Sequence, residues 1–354
     1  MKVLIIDNWG PHFFVGGTEL YCSMLIDLLK NNNCEIDEIC LIEGENKKDE
    51  EHKINLFYFG LVNIKNIFKR NKVFVEKIDD FLTNNYDYDF IIFNTIFFSK
   101  KTNFHNIPVI VIQHLHPLFY WFANKIYPIN GLKNKAIKNI VCYTEYDKKK
   151  MLKYFPDKKI FTVPLPYFFS SNRPVNCEKP NNIGVFGRLN NKQKNIILAC
   201  KISKYLNCKI LLYGSNGSND EKIHQLVKKY PNIEYKGGYK REDLPEIYKN
   251  IKYQLVPSKF EGFGYVCVEA LANSVPLIVR DTFPSASFLI DGKNNGIKFK
   301  KHTFPRKIAK LIENFISKNN YQNMQKKCYE FYSKYLTIEK FNEAWMKIIN
   351  EIKS

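Results

Sequence analysis

Short apolar runs alternate with longer stretches of helical spacing along most of this chain. Val3–Asp7, Ile36–Ile42, Phe90–Phe93, Val109–Ile112, Ile140–Tyr143 and Ile160–Val163 read as buried strands. Thr18–Leu29, Val75–Phe81 and Glu145–Tyr154 read as helices. Apolar strands separated by helices predict a mostly parallel sheet covered on both faces. Pro164-Leu165-Pro166 and the stretch from Ser170 to Asn182, with Pro174 and Pro180, have linker composition. A second series then runs through Ile183–Phe186, Lys209–Tyr213, Ile233–Tyr235, Tyr253–Val256 and Pro276–Val279. The fold class is therefore α/β, with two doubly wound Rossmann-type halves. By pattern alone, periplasmic binding proteins, sugar epimerases and other two-lobed folds fit as well. The tail from Phe304 to Lys353 is helical in pattern, and Ile338, Phe341, Trp345, Ile348 and Ile349 share one apolar face.

The 354 residues leave room for two ordinary domains, and the 45% apolar content is that of a globular chain. No run approaches the ~18–20 apolar residues of a membrane span. Met1 to Asp7 is too short and too soon charged for a signal peptide, and reads as a first strand. Nine scattered cysteines without C-x-x-C spacing argue against a disulfide framework or a metal ribbon, and fit a reducing cytoplasm. The net charge of +19 has two readings. One is attraction to anionic partners, namely nucleotide donors, phospholipid headgroups at the inner membrane face, or nucleic acid. The other is codon bias: only six of the 54 basic residues are Arg, and the lysines are spread along the chain as solvated surface residues. That spread argues against nucleic acid, which favours basic clusters interleaved with aromatics.

The chemistry gathers on Pro257 to Ile278. Tyr253–Val256 enters as a strand, Pro257 and Ser258 end it, and Gly262 and Gly264 permit a tight turn with close ligand approach. Tyr265 to Asn273 then reads as a helix whose first N–H groups suit a phosphate. Glu261 lies on the loop and Glu269 just past the first helical turn. The order strand, Pro-Ser-x-x-Glu-Gly-Phe-Gly, helix, with Glu-x7-Glu spacing, resembles the signature of the family 4 glycosyltransferases. These are retaining enzymes of the GT-B fold that use nucleotide-sugar donors.

Other segments keep the same order. Gly16-Gly17-Thr18-Glu19 opens a helix after the first strand, with Thr18 as its N-cap, and is similar to the family's Gly-Gly-x-Glu, whose Gly backbone contacts the ligand. Gln113-His114-Leu115-His116 follows a strand end. Two His two apart suggest a metal, but no acidic or Cys partner is near. His114 aligns with the family's strand-end His, which implies a hydrogen bond to the donor sugar. Gly187-Arg188-Leu189 and Lys194-Asn195 resemble the family's diphosphate element, with Lys192 as a substitute for Lys194. Gly214-Ser215-Asn216-Gly217 is similar to the Gly-x-Gly turn by the nucleotide. Lys236-Gly237-Gly238-Tyr239, with Asp243 to Tyr248, resembles the segment that cradles the base.

There are departures too. Asn273-Ser274 stands where a Gly is usual, Phe283-Pro284-Ser285-Ala286-Ser287 replaces Gly-Gly-x-x-Glu, and Leu165-Pro166-Tyr167 replaces Asn-Gly.

The resemblance implies a GT-B-like pair of lobes facing across a cleft. The acceptor-side domain would span 1–167, a linker 168–181, and the nucleotide-sugar domain 182–335. A last helix, 336–354, would return to the first domain; by pattern alone it could equally cap the second. Glu261, His114, Arg188 and Lys194 would be catalytic. Gly16, Gly17, Gly187, Gly214, Gly262, Phe263, Gly264, Tyr265 and Glu269 would bind the donor. The implied activity is metal-independent sugar transfer from a nucleoside diphosphate to an acceptor hydroxyl on a glycan, a lipid-linked glycan or a protein glycan, with no cofactor beyond the donor. The alternatives are a catalytically degenerate sugar- or nucleotide-binding protein and a glycosyltransferase acting on nucleic acid. The expected location is the cytoplasm, with peripheral association at the membrane face left open.

Overall fold

A computed structural model describes residues 1–7, 16–40, 47–49, 54–59, 64, 66–95, 98–126, 130–167, 177–189, 192–215, 220–290 and 294–353. The chain divides into two compact units, Met1–Val163 with Asn342–Ser354, and Pro164–Phe341.

In the first unit, β1 (Lys2–Asp7), α1 (Gly17–Asn31), β2 (Glu35–Cys40), β3 (Lys47–Asp49), β4 (Ile54–Tyr58) and α2 (Ile67–Asn84) come first. β5 (Phe90–Phe93), β6 (Val109–Ile112), α3 (Pro117–Ala123), β7 (Ile137–Cys142), α4 (Glu145–Tyr154) and β8 (Lys159–Thr162) follow. The strand order is β3-β4-β2-β1-β5-β6-β7-β8, parallel except at the β3–β4 edge. Strands covered on both faces must be apolar throughout, and every residue of β5 and β6 is buried.

The second unit carries β9 (Asn182–Phe186), α5 (Ile196–Ser203), β10 (Lys209–Tyr213), α6 (Asp220–Val227), β11 (Ile233–Gly237), α7 (Leu244–Ile247) and β12 (Tyr253–Val256). Next come α8 (Tyr265–Ala272), β13 (Leu277–Arg280), α9 (Ala286–Leu289), β14 (Gly296–Phe299), α10 (Pro305–Lys318) and α11 (Tyr321–Tyr335). α12 (Ile338–Lys353) begins in this unit, and its residues from Asn342 onward belong to the first. The sheet order β11-β10-β9-β12-β13-β14 is all parallel. It reverses between β9 and β12, and a crevice at the carboxyl ends of such a pair is where open α/β sheets bind ligands.

Several elements run beyond their sequence pattern. α2 starts at Ile67 rather than Val75, about two turns earlier, where Asn66 accepts a hydrogen bond from the Lys69 amide (3.1 Å) and caps the helix. Its buried stripe is Phe74, Ile78 and Leu82, four apart. Gly16, not Thr18, is the N-cap of α1, and Thr18 lies inside the helix. The helical tail is three helices, interrupted where Asn320 caps α11 and at Leu336. Residues 168–176 of the expected linker lie outside the described residues. Residues 177 and 179 are held to the second unit: Gln325 Nε2 donates to Cys177 O (3.1 Å) and Lys179 Nζ to Asn273 O (3.1 Å).

One buried cluster in the first unit was not visible in the pattern. Asp7 at the end of β1, Cys22 on α1 and Glu38 on β2 bring their ligand-type atoms within 4.8 Å of one another, all buried. The Cys22 thiol hydrogen-bonds to Asp7, and Cys40 lies against Glu38. Burial, with the Asp7 charge beside it, pushes the Glu38 carboxyl up to about 8. The folded chain therefore keeps a proton on Glu38 that the unfolded chain gives up in the ordinary carboxylate range. This stabilisation is complete at low pH and is lost as pH rises through about 8. We expect the melting temperature of Glu38→Gln to exceed the parent's most at pH 9, by an amount on the order of a few kcal/mol in stability, and its pH dependence between 5 and 9 to flatten. Parallel pH–melting curves for the two proteins would refute this.

Candidate functional site

At the carboxyl edge of the second sheet, β9 runs into Gly187, which adopts φ +112°. Gly214, at the end of β10, has φ +133°, and a Cβ there would sit 1.9 Å from Gly187 O. Two main chains touch at this point, so neither position accepts a side chain. Arg188 follows and is exposed. The Lys194 side chain folds back over Gly187, its Cε 2.9 Å from where a Cβ would stand.

Lys194 Nζ pairs with Glu261 Oε1 at 2.8 Å, and the two side chains are only 12% and 8% exposed. Gln193 Nε2 adds a 3.3 Å contact to Glu261 Oε2. Asn195, in the left-handed region at φ 55°, caps α5 and donates through Nδ2 to Pro257 O (3.1 Å). The Lys259 amide donates to Gln193 O (2.8 Å). The turn after β9 and the turn after β12 are thus stapled together across the switch point. Of the two candidate lysines, Lys194 makes this pair and Lys192 is exposed.

Gly262, Phe263 and Gly264 lead into α8, with Gly264 as N-cap at φ 85°. The segment that departs from the family pattern supports this turn from behind. Ser285 Oγ donates to Phe263 O (2.5 Å), Thr282 Oγ1 donates to Ser258 O (2.7 Å), and the buried Phe283 ring lies against Gly264. Glu269, 2% exposed on α8, faces Arg241 Nε at 3.5 Å, and the Arg241 guanidinium lies over the Tyr265 ring at 5.3 Å. Burial raises the Glu269 carboxyl above its ordinary range, against the pull of Arg241 and Lys194. Its Oε2 accepts no hydrogen bond from the described residues.

The residue at the usual Gly position, Ser274, takes φ 55° in a buried setting, a strain worth about 1 kcal/mol or more. Tyr248, at the end of the segment that resembles a base cradle, is buried and donates to Gln254 Oε1 (2.5 Å). Phe186 stacks on Tyr213 (4.9 Å between centroids) and Tyr248 (4.9 Å), with Tyr239 edge-on at 5.7 Å. Asn216 and Gly217 lie outside the described residues.

In the first unit, Gly16 and Gly17 open α1, and the Glu19 carboxylate occupies the space a Gly16 side chain would need. His114, after β6, hydrogen-bonds through Nε2 with Asn94 Oδ1 and through Nδ1 with the Tyr143 hydroxyl. These three residues follow the ends of β5, β6 and β7 in turn. Tyr21 packs edge-on to the imidazole at 5.6 Å, and Trp345 Nε1 donates to the Tyr21 hydroxyl (2.9 Å). Burial pushes the His114 imidazole down to about 3, so it is neutral at physiological pH. An Asn oxygen only accepts, so Nε2 carries the proton and Nδ1 accepts from Tyr143. His116 turns away to cap α3, accepting from the Leu118 amide at Nδ1 (3.1 Å). The two imidazoles therefore do not share a metal. Among the described residues the only group with ligand atoms close enough is Asp7, Cys22 and Glu38, where a proton on Glu38 answers the buried charge.

Sequence reasoning missed Arg241, Gln193, Asn94 and Tyr143. Arg241 was the most visible of them, as one of only six arginines. Asn94 and Tyr143 each end or follow an apolar run at a sheet's carboxyl edge, a signal that is faint without the topology.

Residues 169–331, all within the second unit, match the family model "Glycosyl transferases group 1". The chain is 24% identical over 249 residues to the GtfA subunit of a UDP-N-acetylglucosamine–peptide N-acetylglucosaminyltransferase from Streptococcus gordonii. That match covers 66% of this chain and 49% of the relative, so the chain spans about half the length of that protein. Among solved structures, sucrose-phosphate synthase from Thermosynechococcus elongatus superposes with a TM-score of 0.78 at 16% identity, covering 99% of this chain and 98% of the other. An Anabaena protein in complex with UDP and glucose gives 0.71 at 18% identity, covering 99% of each chain.

For His114 we expect the ring-proton NMR shifts to stay constant from pH 8 to pH 5, while exposed His116 keeps a titration. An inflection of the His114 signal near pH 6.5 would show that burial does not hold the imidazole neutral.

Proposed function

We propose that this chain is a group 1 glycosyltransferase, on the match of its second unit to that family, and that it transfers a sugar from a nucleoside diphosphate to an acceptor hydroxyl with retention and without a metal ion. The observation that carries the reading is the Lys194–Glu261 pair at the β9–β12 switch point. Such a place holds a cation, a carboxylate and a helix start within reach of one ligand.

Arg188, Lys194 and the first amides of α8 would take the diphosphate's growing negative charge as the glycosidic bond breaks. In many enzymes, stabilisation aimed where charge develops lowers the barrier more than any other effect. Glu261 would hold donor-sugar hydroxyls and favour the cationic character of the sugar carbon. Glu269, with an oxygen left over from Arg241, would accept from the ribose hydroxyls. His114, neutral and held at both ring nitrogens by Asn94 and Tyr143, would have to exchange one of those bonds to reach the donor sugar, and would act by hydrogen bonding and not by proton transfer. A uridine nucleotide is the first donor to test, since the Anabaena neighbour holds UDP and the streptococcal relative is named for UDP-N-acetylglucosamine. The acceptor is proposed to be a glycan, lipid-linked or on protein, and the site of action the cytoplasm.

Thermal stabilisation by a panel of nucleotide sugars identifies the donor, since a ligand at about 100 times its Kd adds about 2.7 kcal/mol. With that donor, Glu261→Ala and Arg188→Ala should each lose transfer by on the order of 10²–10³-fold while keeping the parent's circular dichroism. Near-parent turnover in either variant would sink its assigned role. A chelator should leave transfer largely intact, and a block reversed by added divalent ion would overturn metal independence.

A further inference from the structure

We propose that α3 and the exposed face of α4 form a docking surface for an anionic lipid bilayer. From Pro117 to Ala123 the sequence is Pro-Leu-Phe-Tyr-Trp-Phe-Ala, without one charged residue. A surface helix of a soluble protein ordinarily turns a polar face to water. Here one side of α3 is buried through Pro117, Tyr120 and Ala123, with the Tyr120 hydroxyl fixed between the His114 amide and Ile112 O. The opposite side is apolar as well: Leu118 is 40%, Phe119 44% and Phe122 53% exposed. Leu115 and Ile126 extend the patch at 45% and 42%. Five of the thirteen exposed large apolar residues among those described thus fall within twelve positions. Such a concentration marks an interaction surface.

The charge around it selects the occupant. Lys125 lies over the Trp121 ring at 3.4 Å, at the edge of the apolar patch. α4 packs beside α3, with Trp121 and Tyr154 rings 5.9 Å apart. Its outward side carries exposed Tyr146, Lys149 and Lys153 and half-buried Lys150, at helical spacing, with Lys150 over the Tyr146 ring. Of the acidic residues of α4, Asp147 is buried against Thr144, and Glu145, exposed at the first helical position, accepts from Thr162. What remains is an aromatic and aliphatic centre rimmed by lysines. Such a centre inserts at the headgroup boundary while the lysines meet anionic lipids. A protein partner of ordinary composition would not call for the one-signed rim.

Bilayer docking at this surface is independent of the sugar-transfer chemistry, and its test needs no donor or acceptor. The full chain is floated with vesicles of phosphatidylcholine alone and of phosphatidylcholine with phosphatidylglycerol. The parent should float with the anionic vesicles, less so at high salt, and little with the neutral ones. Leu118→Ser/Phe119→Ser/Phe122→Ser should cut the bound fraction by about tenfold or more at an unchanged melting temperature. Lys125→Glu/Lys149→Glu, on exposed positions, tests the rim separately, and its loss of binding should vanish at high salt. The proposal is overturned if the parent ignores anionic vesicles, or if both variants float as the parent does. It is equally overturned if the parent is a dimer that the apolar variant dissolves while vesicle binding is absent.

Discussion

The second unit depends on a charge pair held at the rim of its sheet. Lys194 and Glu261 come from turns 67 residues apart in sequence, and both side chains are nearly closed to water. In that setting the removal of either partner costs roughly 3–5 kcal/mol, because the other is left as a buried, unanswered charge. The pair sets the distance between the turn after β9 and the turn after β12. Gln193, Asn195 and Lys259 then fix the register of the two loops by hydrogen bonds to main chain or carboxylate. An anionic ligand arriving at this rim meets a lysine already in place, so little ordering remains to be done on binding.

The carboxyl edge of the first sheet is built on a different physical basis. Its central group, His114, is neutral, boxed by Tyr21 and Tyr143 and saturated by hydrogen bonds. Lower down, the Asp7–Glu38 cluster keeps a proton to stay within the core. One unit thus holds a fixed charge pair at the rim of its sheet, and the other manages its interior by suppressing charge. Both follow from the same rule that an isolated ion does not survive burial.

Much of this was legible in the chain. The strands of both sheets show as apolar runs because they are covered on two faces, and α4 coincides with its pattern to the residue. The Glu-x7-Glu stretch showed its turn because Gly and Pro sit where a strand must end and a helix begin, and its two carboxylates are those the structure pairs with Lys194 and Arg241. The rest was hidden for physical reasons. α2 extends by about two turns to an Asn66 cap, an effect of one side chain that periodicity does not register. β4 and β14 have mixed burial and so no clean run. The Glu38 cluster required knowing that β1, β2 and α1 converge. The segment replacing Gly-Gly-x-x-Glu looks like a loss in sequence, yet Ser285 and Phe283 give the glycine turn a scaffold of their own. The lysines look evenly spread in sequence, and only the packing of α3 against α4 gathers Lys125 with Lys150.

The contact of Gly187 with Gly214 has a wider meaning for descent. Where main chain meets main chain, the floor beneath a ligand owes its shape to peptide geometry and not to any particular side chain. Such a floor can be inherited intact while nearly everything around it drifts. That is one way for two chains to share a fold at a TM-score of 0.78 while agreeing at only 16% of positions.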